Sequence, residues 1–208
     1  MIIKPENPVR MALVAGPGAG KTTLATAFNS HMKNKGYNWY YVSEYARDFI
    51  DNYGQDGPPK CGPLVQLHFV DKQWRRELSV PKQCDGFITD SPVFLAWFYS
   101  ALYGNSDLPG YLARKNNYKA FLRSVYEYTH IVLVKREKGY VYDGTRAQSP
   151  ETAMELDKAV ETMLKLHGIK YHVVSGTLEE RVKQLEALSI PLLKSSDDPT
   201  LDPNYTGG

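Results

Sequence analysis

The stretch MALVAGPGAGKTTLATAF, residues 11–28, decides the fold that this sequence predicts. It begins with a short apolar run, typical of a buried strand, and then places three glycines within five positions, at Gly16, Gly18 and Gly20. Lys21 follows directly and begins an apolar-periodic run of the kind that forms a helix. Bare glycine backbone lets N–H groups approach phosphate oxygens, and the helix points the positive end of its dipole at an anion. This order of strand, glycine loop, cation and helix predicts a loop that holds the phosphates of a nucleotide.

The chemistry of this loop predicts the phosphates of a nucleotide and Mg²⁺ as its ligands. Lys21 can reach the β- and γ-phosphates, and the hydroxyl of Thr22 can ligate the metal. The usual pattern is G-x-x-x-x-G-K-[ST], and here Ala15 stands at the first glycine position. The alternative is a glycine-rich turn with an incidental lysine, but the flanking strand and helix favour the nucleotide site. The residues predicted to contact the nucleotide are Gly16, Pro17, Gly18, Ala19, Gly20, Lys21, Thr22 and Thr23.

Composition is that of an ordinary globular protein. The 208 residues suit one domain, and the net charge of +2 neither requires nor excludes a nucleic-acid partner. Cys61 and Cys84 have neither the density of a disulfide framework nor the spacing of a metal site, so we expect a reduced intracellular compartment. The sequence shows no signal peptide and no membrane-spanning run, and we therefore expect a cytoplasmic protein without a membrane partner.

Five strand-like runs alternate with helical periodicity along the chain. This alternation predicts an α/β domain with a five-stranded, mostly parallel sheet. We expect the domain to cover residues 1–190, with a lid at about residues 136–150 and a polar, loose tail at residues 191–208. Ligands of such sheets bind beyond the carboxyl ends of the strands, where the glycine loop, Glu44 and Asp90 fall.

Asp90 ends the apolar run GFITD and is the predicted second metal ligand. A carboxylate at this edge can hold a metal-bound water beside the phosphates. The alternative is that Asp90 caps the helix that begins near Pro92, and both roles can hold at once.

Three classes of protein use such a loop, and two lack support in this sequence. A guanine-nucleotide switch carries an [NT]-K-x-D segment, and none occurs here. A motor or clamp ATPase commonly places Glu after the strand-end aspartate, whereas Ser91 and Pro92 follow Asp90. A kinase needs cations that close over the transferred phosphoryl group. Such cations follow the fourth strand, where Arg136, Lys138 and Arg146 flank Gly139 and Gly144, although a solvated surface loop has the same composition.

A kinase also needs a group that orients or deprotonates the acceptor hydroxyl. Glu44 directly follows the second strand in YVSEYARDF, and Arg47, three residues on, shares a helix face with it. The alternatives are a surface ion pair for these two residues and Asp90 as the base. Tyr40, Tyr41 and Tyr45 are expected either to stack on a free nucleoside base or to fill the core. The predicted catalytic residues are Lys21, Glu44, Asp90, Arg136 and Arg146, and the predicted acceptor-binding residues are Glu44, Tyr45 and Arg47.

The segments GPGAGKTTLA, YVSEYARDF, FITDSP and YDGTR together resemble the P-loop kinase domain of the nicotinamide riboside and ribonucleotide kinase group, a set often filed under AAA-like ATPases. The resemblance runs from Val9 to about Arg181. It implies a P-loop kinase fold with three layers, ATP with Mg²⁺, and phosphoryl transfer to a nucleoside-like hydroxyl. It also implies that Glu44 and Arg47 face the acceptor and that Arg146 belongs to the lid.

The sequence also resembles bacteriophage kinases that phosphorylate nucleotides, or a hydroxymethyl group on a pyrimidine already in DNA. One stretch favours DNA, YLARKNNYKAFLRSVYEY at residues 111–128, which interleaves cations with tyrosines. The alternative is an amphipathic helix with a solvated face. A P-loop ATPase module without kinase activity is a further alternative.

Overall fold

The structure is a computed structural model and describes residues 8–53, 62–102, 107–137 and 149–195. Within these ranges five strands and seven α-helices alternate in the order that the sequence predicts. The strands are β1 (Val9–Val14), β2 (Trp39–Val42), β3 (Gly86–Thr89), β4 (His130–Val134) and β5 (His172–Val174). The helices are α1 (Lys21–Asn34), α2 (Tyr45–Tyr53), α3 (Pro63–Leu78), α4 (Leu95–Leu102), α5 (Leu108–Ser124), α6 (Pro150–Leu166) and α7 (Leu178–Ser195).

The five strands form one sheet in the order β2-β3-β1-β4-β5. Every pairing between them is parallel, so the expectation of a mostly parallel sheet is sharpened to an all-parallel one among the described strands. All carboxyl ends therefore meet at one edge. The phosphate loop follows the central strand β1 at this edge, with the residues after β2 and β3 on one side and those after β4 on the other.

Helices cover both faces of the sheet, which gives the three layers. Met11 and Leu13 of β1 pack against α1 and α7 in one apolar cluster, and Ala12 and Val14 pack against α4, α5 and α6 in a second. Alternate residues of a strand point to opposite faces, and every residue of β1 except Arg10 is buried. Burial of each large side chain contributes about 1.5–3 kcal/mol, so this central strand is held from both sides.

Several helix bounds differ from the sequence-based expectation. The helix expected over residues 111–128 begins at Leu108, where Asp107 caps it by accepting from the Gly110 N–H at 2.9 Å, and it ends at Ser124 before a short 3₁₀ turn. Helix α7 runs through Pro191, where the loose tail was expected to begin, and Leu193 in its last turn is 5% exposed. Burial of Leu193 against the α1 layer gives the chain a reason to stay helical there.

Some predicted features lie outside the described residues. They include Cys61, the central part of the lid with Lys138 and Arg146, and residues 196–208 of the tail. Cys84 is buried. Among the described helices, none has both the length and the apolar character needed to cross a membrane.

Candidate active site

The phosphate loop joins the buried end of β1 to the first turn of α1. Gly18 and Gly20 have φ values of 73° and 86°, a left-handed conformation that residues with a Cβ rarely adopt. Helix α1 begins at Lys21 with no acidic residue in its first turn and no side-chain cap from Gly20. Its first N–H groups are therefore not taken up by a side-chain cap, which suits an anion site.

The Lys21 ammonium spans the mouth of this loop. It donates hydrogen bonds to the carbonyl oxygens of Ala15 at 2.9 Å and Gly16 at 3.0 Å. These two carbonyls fix the charge beside the loop, within reach of an anion that the loop holds. Lys21 thus lies beside the loop, where the sequence pattern predicts a phosphate-binding lysine.

Asp90 lies at the end of β3, next to the loop, and is 2% exposed. Its Oδ2 accepts hydrogen bonds from the Thr22 hydroxyl at 2.5 Å and from the Tyr41 hydroxyl at 3.0 Å. Helix α4 begins only at Leu95, so the alternative in which Asp90 caps that helix is wrong. The carboxylate instead joins the phosphate loop to the neighbouring strand β2.

The second oxygen of Asp90, Oδ1, is buried and has no hydrogen-bond partner among the described residues. A buried carboxylate oxygen without a partner is costly, so this position favours a ligand that supplies positive charge or a donor. Carboxylate and hydroxyl oxygens are ligands that Mg²⁺ prefers, and Thr22 and Asp90 therefore fit that ion. The described residues contain no group of three or more His, Cys, Asp or Glu side chains placed to hold a metal.

Tyr41 was expected to stack on a base or to fill the core, and its contact with Asp90 was not predicted. Burial, and then the negative charges of Asp90 and Glu44, raise the pKa of Tyr41 well above its ordinary value. The hydroxyl therefore stays protonated and donates to Asp90. The sequence shows only that Tyr41 lies in the predicted second strand. The structure then pairs this strand, β2, with β3, which Asp90 follows.

Glu44 and Arg47 form the pair that their spacing predicts. Arg47 Nε lies 4.0 Å from Glu44 Oε2, and about a third of each side chain is exposed. Such a pair is worth little in stability because water screens it. Both charges act on the hydroxyl of Tyr41, which also contacts Asp90, so the predicted acceptor groups lie near the predicted metal ligand.

Helix α3 holds the segment that carries Glu44. The buried Gln73 accepts from the Tyr45 N–H at 2.9 Å and donates to the Ser43 carbonyl at 3.3 Å. Arg76 donates to the same carbonyl at 3.2 Å and to Asp48 at 2.6 Å. Neither Gln73 nor Arg76 was predicted, because both contacts depend on how α3 packs and no local motif marks them.

The ring of Tyr45 is already surrounded by side chains of the protein. The Arg76 guanidinium lies 5.0 Å from its ring centre, and the Phe69 ring packs edge-on at 5.9 Å. Its hydroxyl contacts His68 Nε2 at 3.1 Å. These contacts favour the alternative in which Tyr45 packs within the protein over the one in which it stacks on a base.

Arg136 follows β4 and lies against the first half of the phosphate loop. Its Nη2 donates to the Pro17 carbonyl at 2.6 Å, and its Nε donates to Asp157 Oδ2 at 2.7 Å. The side chain is 9% exposed, and Nη1 is buried without a hydrogen-bond partner among the described residues. Arg136 was expected in a lid, and in the structure it lies beside the phosphate loop, in contact with Pro17. Asp157 was not predicted at all.

The chain belongs to the AAA_28 family, described as an AAA domain, which it matches over residues 10–181. No curated protein matches the chain. The fold is similar to that of solved P-loop kinases. A NadR protein in complex with NR superposes with a TM-score of 0.69 at 16% identity, over 88% of this chain and 52% of that one. This chain therefore spans about half the length of that structure.

Two further solved structures share the fold over most of their length. Thymidylate kinase from Candida albicans superposes with a TM-score of 0.58 at 13% identity, over 92% of this chain and 94% of that one. Deoxyadenosine kinase from M. mycoides with bound dATP superposes with a TM-score of 0.54 at 14% identity, over 86% of this chain and 97% of that one. At these identities the likeness establishes the α/β fold of P-loop kinases.

Proposed function

We propose that this chain is an ATP-dependent kinase that transfers the γ-phosphoryl group of ATP to a hydroxyl of a nucleoside- or nucleotide-type acceptor. The observation that carries the proposal is the hydrogen bond from Tyr41 to Asp90, because it links the strand before Glu44 to the carboxylate beside the phosphate loop. An anion site and a carboxylate–guanidinium pair thereby share one edge of the sheet. A phosphotransferase needs both, whereas a nucleotide switch needs only the first.

On the donor side, the loop holds the phosphates of ATP with backbone N–H groups, and Lys21 offsets the charge of the β- and γ-phosphates. Thr22 and Asp90 hold the metal, directly or through water. When bound, Mg²⁺ neutralises charge that develops on the phosphate oxygens. The buried Oδ1 of Asp90, which has no hydrogen-bond partner in the part of the chain that the structure describes, supports this role.

On the acceptor side, Glu44 takes the proton of the hydroxyl. The acceptor oxygen forms a bond to the γ-phosphorus, the bond from that phosphorus to the bridging oxygen of ADP breaks, and the hydroxyl proton passes to Glu44. Asp90 is the rival base, but its Oδ2 already accepts two hydrogen bonds. Glu44 is about a third exposed and therefore open to an acceptor. Arg47 orients Glu44 and adds positive charge beside the acceptor.

Cations from the segment after β4 stabilise the transferred group. Arg136 contributes from the flank of the loop, where it is fixed by Pro17 and Asp157. Arg146, which lies outside the described residues, is the proposed lid arginine. Positive charge that closes over the phosphoryl group also excludes water and so favours transfer over hydrolysis.

The ligands of the similar structures support this class of acceptor. NR is bound to the NadR protein, and dATP is bound to the deoxyadenosine kinase. Both ligands contain a nucleoside-like part. The fold alone does not select among nucleosides, nucleotides and their derivatives, since P-loop kinases reuse one scaffold for many acceptors.

A transfer assay tests the proposal. Purified protein is incubated with ATP labelled at the γ-position, Mg²⁺ and a panel of nucleosides, nucleoside monophosphates and hydroxymethyl-pyrimidine DNA. Label in a nucleoside or nucleotide product, lost in Lys21→Ala, is the expected result. Release of free phosphate with every acceptor would instead favour an ATPase module.

A second candidate is phosphorylation of a hydroxymethyl-pyrimidine in DNA. The observation that favours it is the exposed side of α5, which presents Tyr111, Lys115 and Lys119 to solvent. Cations and rings on one surface suit a single strand or a flipped base. Against it, Tyr128 is 8% exposed and packs within the protein, so the aromatic part of this surface is smaller than the sequence suggests.

A further inference from the structure

Helix α6 approaches the phosphate loop more closely than a side chain would permit. A Cβ atom at Gly16 would lie 2.7 Å from the Ala153 carbonyl oxygen and 2.8 Å from Asp157 Oδ1. The contact joins segments 141 residues apart in the chain. Gly16 is thus required by a close approach, and α6 forms one wall of the loop.

The carboxylate of Asp157 makes two contacts at this wall. Its Oδ1 accepts a hydrogen bond from the backbone N–H of Gly16 at 2.7 Å, and its Oδ2 accepts one from Nε of Arg136 at 2.7 Å. Arg136 in turn donates to the carbonyl oxygen of Pro17 at 2.6 Å. The four residues form a closed ring of contacts in which Asp157 is the only negatively charged member.

We propose that Asp157 is a positioning residue for nucleotide binding. It fixes both the backbone at Gly16, where the phosphate loop begins, and the side chain of Arg136. The inference rests on the proposed function, in which this loop holds ATP. Asp157 does not touch the nucleotide in this account. It acts through Gly16 and Arg136.

The charges explain why a carboxylate is tolerated beside an anion site. An unpaired Asp157 would repel phosphate, but Arg136 pairs with it through a side chain that is 9% exposed, where water screens the pair little. Charge-assisted hydrogen bonds are about twice as strong as neutral ones and have well-defined geometry. The pair therefore holds Arg136 in one place, with its buried Nη1 still without a partner among the described residues.

Loss of this ring of contacts should weaken nucleotide binding more than it weakens the fold. Misplacement of a binding group by about 1 Å can cost up to roughly 100-fold in function. Asp157→Ala removes both contacts. Asp157→Asn keeps an oxygen that can accept from Gly16 but loses the ion pair, so its effect should be intermediate.

The test is a direct titration of the purified full-length chain with a fluorescent ATP analogue and Mg²⁺, with no acceptor present. We expect the Kd to rise roughly 10- to 100-fold in Asp157→Ala and less in Asp157→Asn. The matched control is Glu161→Gln, which removes an ion pair with Lys165 from the same helix. It should leave the Kd unchanged. Melting curves without nucleotide establish which variants are folded, and Asp157→Asn carries the test if Asp157→Ala is not.

The outcomes are distinguishable. Unchanged Kd values in folded Asp157 variants, whether or not their melting temperature falls, would mean a merely structural role and would overturn the inference alone. A wild-type chain that binds no nucleotide would overturn the proposed function and this inference with it. In turnover assays we expect the KM for ATP to rise in Asp157→Asn while the KM for the acceptor stays constant.

Discussion

The Thr22 hydroxyl donates a hydrogen bond of 2.5 Å to Oδ2 of Asp90, across 68 positions of sequence. This contact connects the first turn of α1 to the end of β3, and so holds the carboxylate beside the phosphate loop. The same oxygen accepts a hydrogen bond from the Tyr41 hydroxyl at 3.0 Å. This bond also connects Asp90 to β2 and to the segment with Glu44 that follows it. The relative placement of donor and acceptor groups thus depends on one buried carboxylate.

Tyr41→Phe should impair turnover without unfolding the chain. The variant removes one of the two donors to Asp90, and a hydrogen bond to a charged group contributes about 1.5–3 kcal/mol. We expect kcat to fall by roughly 10-fold or more and the Mg²⁺ concentration for half-maximal rate to rise. The matched control is Tyr40→Phe, one residue earlier on the same strand, which should behave as wild type. An unaltered Mg²⁺ dependence in Tyr41→Phe would contradict the role given to Tyr41.

Lys21→Ala should abolish phosphoryl transfer in a folded protein. The ammonium contacts the loop carbonyls of Ala15 and Gly16, so its loss removes charge at the phosphates with little loss of packing. We expect transfer to fall by at least roughly 10²–10³-fold while the melting temperature changes little. Lys33→Ala, on an exposed turn of the same helix, serves as control. Full activity in Lys21→Ala would refute the site assignment.

Glu44→Gln should separate acceptor chemistry from ATP binding. The amide keeps the shape of the side chain and cannot take the hydroxyl proton, so turnover should fall by roughly 10²–10⁴-fold with ATP affinity nearly unchanged. Glu44→Asp keeps a base and should recover part of the rate, and Asp51→Asn on the exposed side of α2 should have no effect. If Glu44→Gln loses ATP binding equally, Glu44 has a metal or structural role and Asp90 becomes the preferred base.

Glu77 should make stability depend on pH, at the end of the sheet opposite to the phosphate loop. It lines a cavity of about 290 Å³ with Trp74 and Phe87, and it accepts from the Tyr128 hydroxyl at 2.9 Å. Burial raises the pKa of Glu77 from 4.5 to about 8. Between these values the folded chain binds a proton that the unfolded chain has released, so this contribution to stability falls as the pH rises from about 5 to 8.

Glu77→Gln removes that proton linkage. The free energy of unfolding of variant and wild type is measured with denaturant at pH 5.5 and at pH 8. From pH 5.5 to pH 8, the difference between variant and wild type should shift in favour of the variant by about 1–3 kcal/mol. This is less than the full pKa shift implies, because the Glu77 residue is partly exposed. The exposed Glu155→Gln on α6 reports the effect of losing a carboxylate from the surface. Parallel pH profiles for Glu77→Gln and wild type would refute a protonated Glu77.

The sequence predicted the fold well because its signals are local. The glycine loop and the alternation of strands and helices depend on residues close in the chain, and the described residues contain the five strands that this alternation predicts. Asp157 and Gln73 could not be predicted, since their roles come from contacts between distant elements. At Ala15 the sequence departs from the usual phosphate-loop pattern, which has glycine there, and contacts between distant elements explain this departure too. Ala15 is buried in the core, and α6 approaches the loop one residue later, where Gly16 leaves the space.

Salt dependence of DNA binding separates the two candidate acceptors. On α5, Lys115, Lys119 and Tyr111 are exposed, and so is Tyr118, whose ring also stacks on Phe121 at 5.9 Å. If DNA is the acceptor, these lysines neutralise phosphates and release counterions. Affinity for a hydroxymethyl-pyrimidine oligonucleotide should then fall steeply with salt, and each lysine removed should reduce the slope of log K against log salt by about one.

A free nucleoside or nucleotide predicts a different result for the same variant. Such a ligand binds near Glu44 and Asp90, so Lys115→Ala/Lys119→Ala should leave its KM unchanged. Lys183→Ala, on the exposed side of α7, controls for loss of a surface charge. Tyr128 is buried and the Tyr118 ring stacks on Phe121, while Tyr111 and Tyr126 are exposed. If the acceptor is a free nucleoside or nucleotide, we expect no oligonucleotide binding at low salt. Tight binding with the reduced slope, together with label entering the DNA, would make DNA the acceptor.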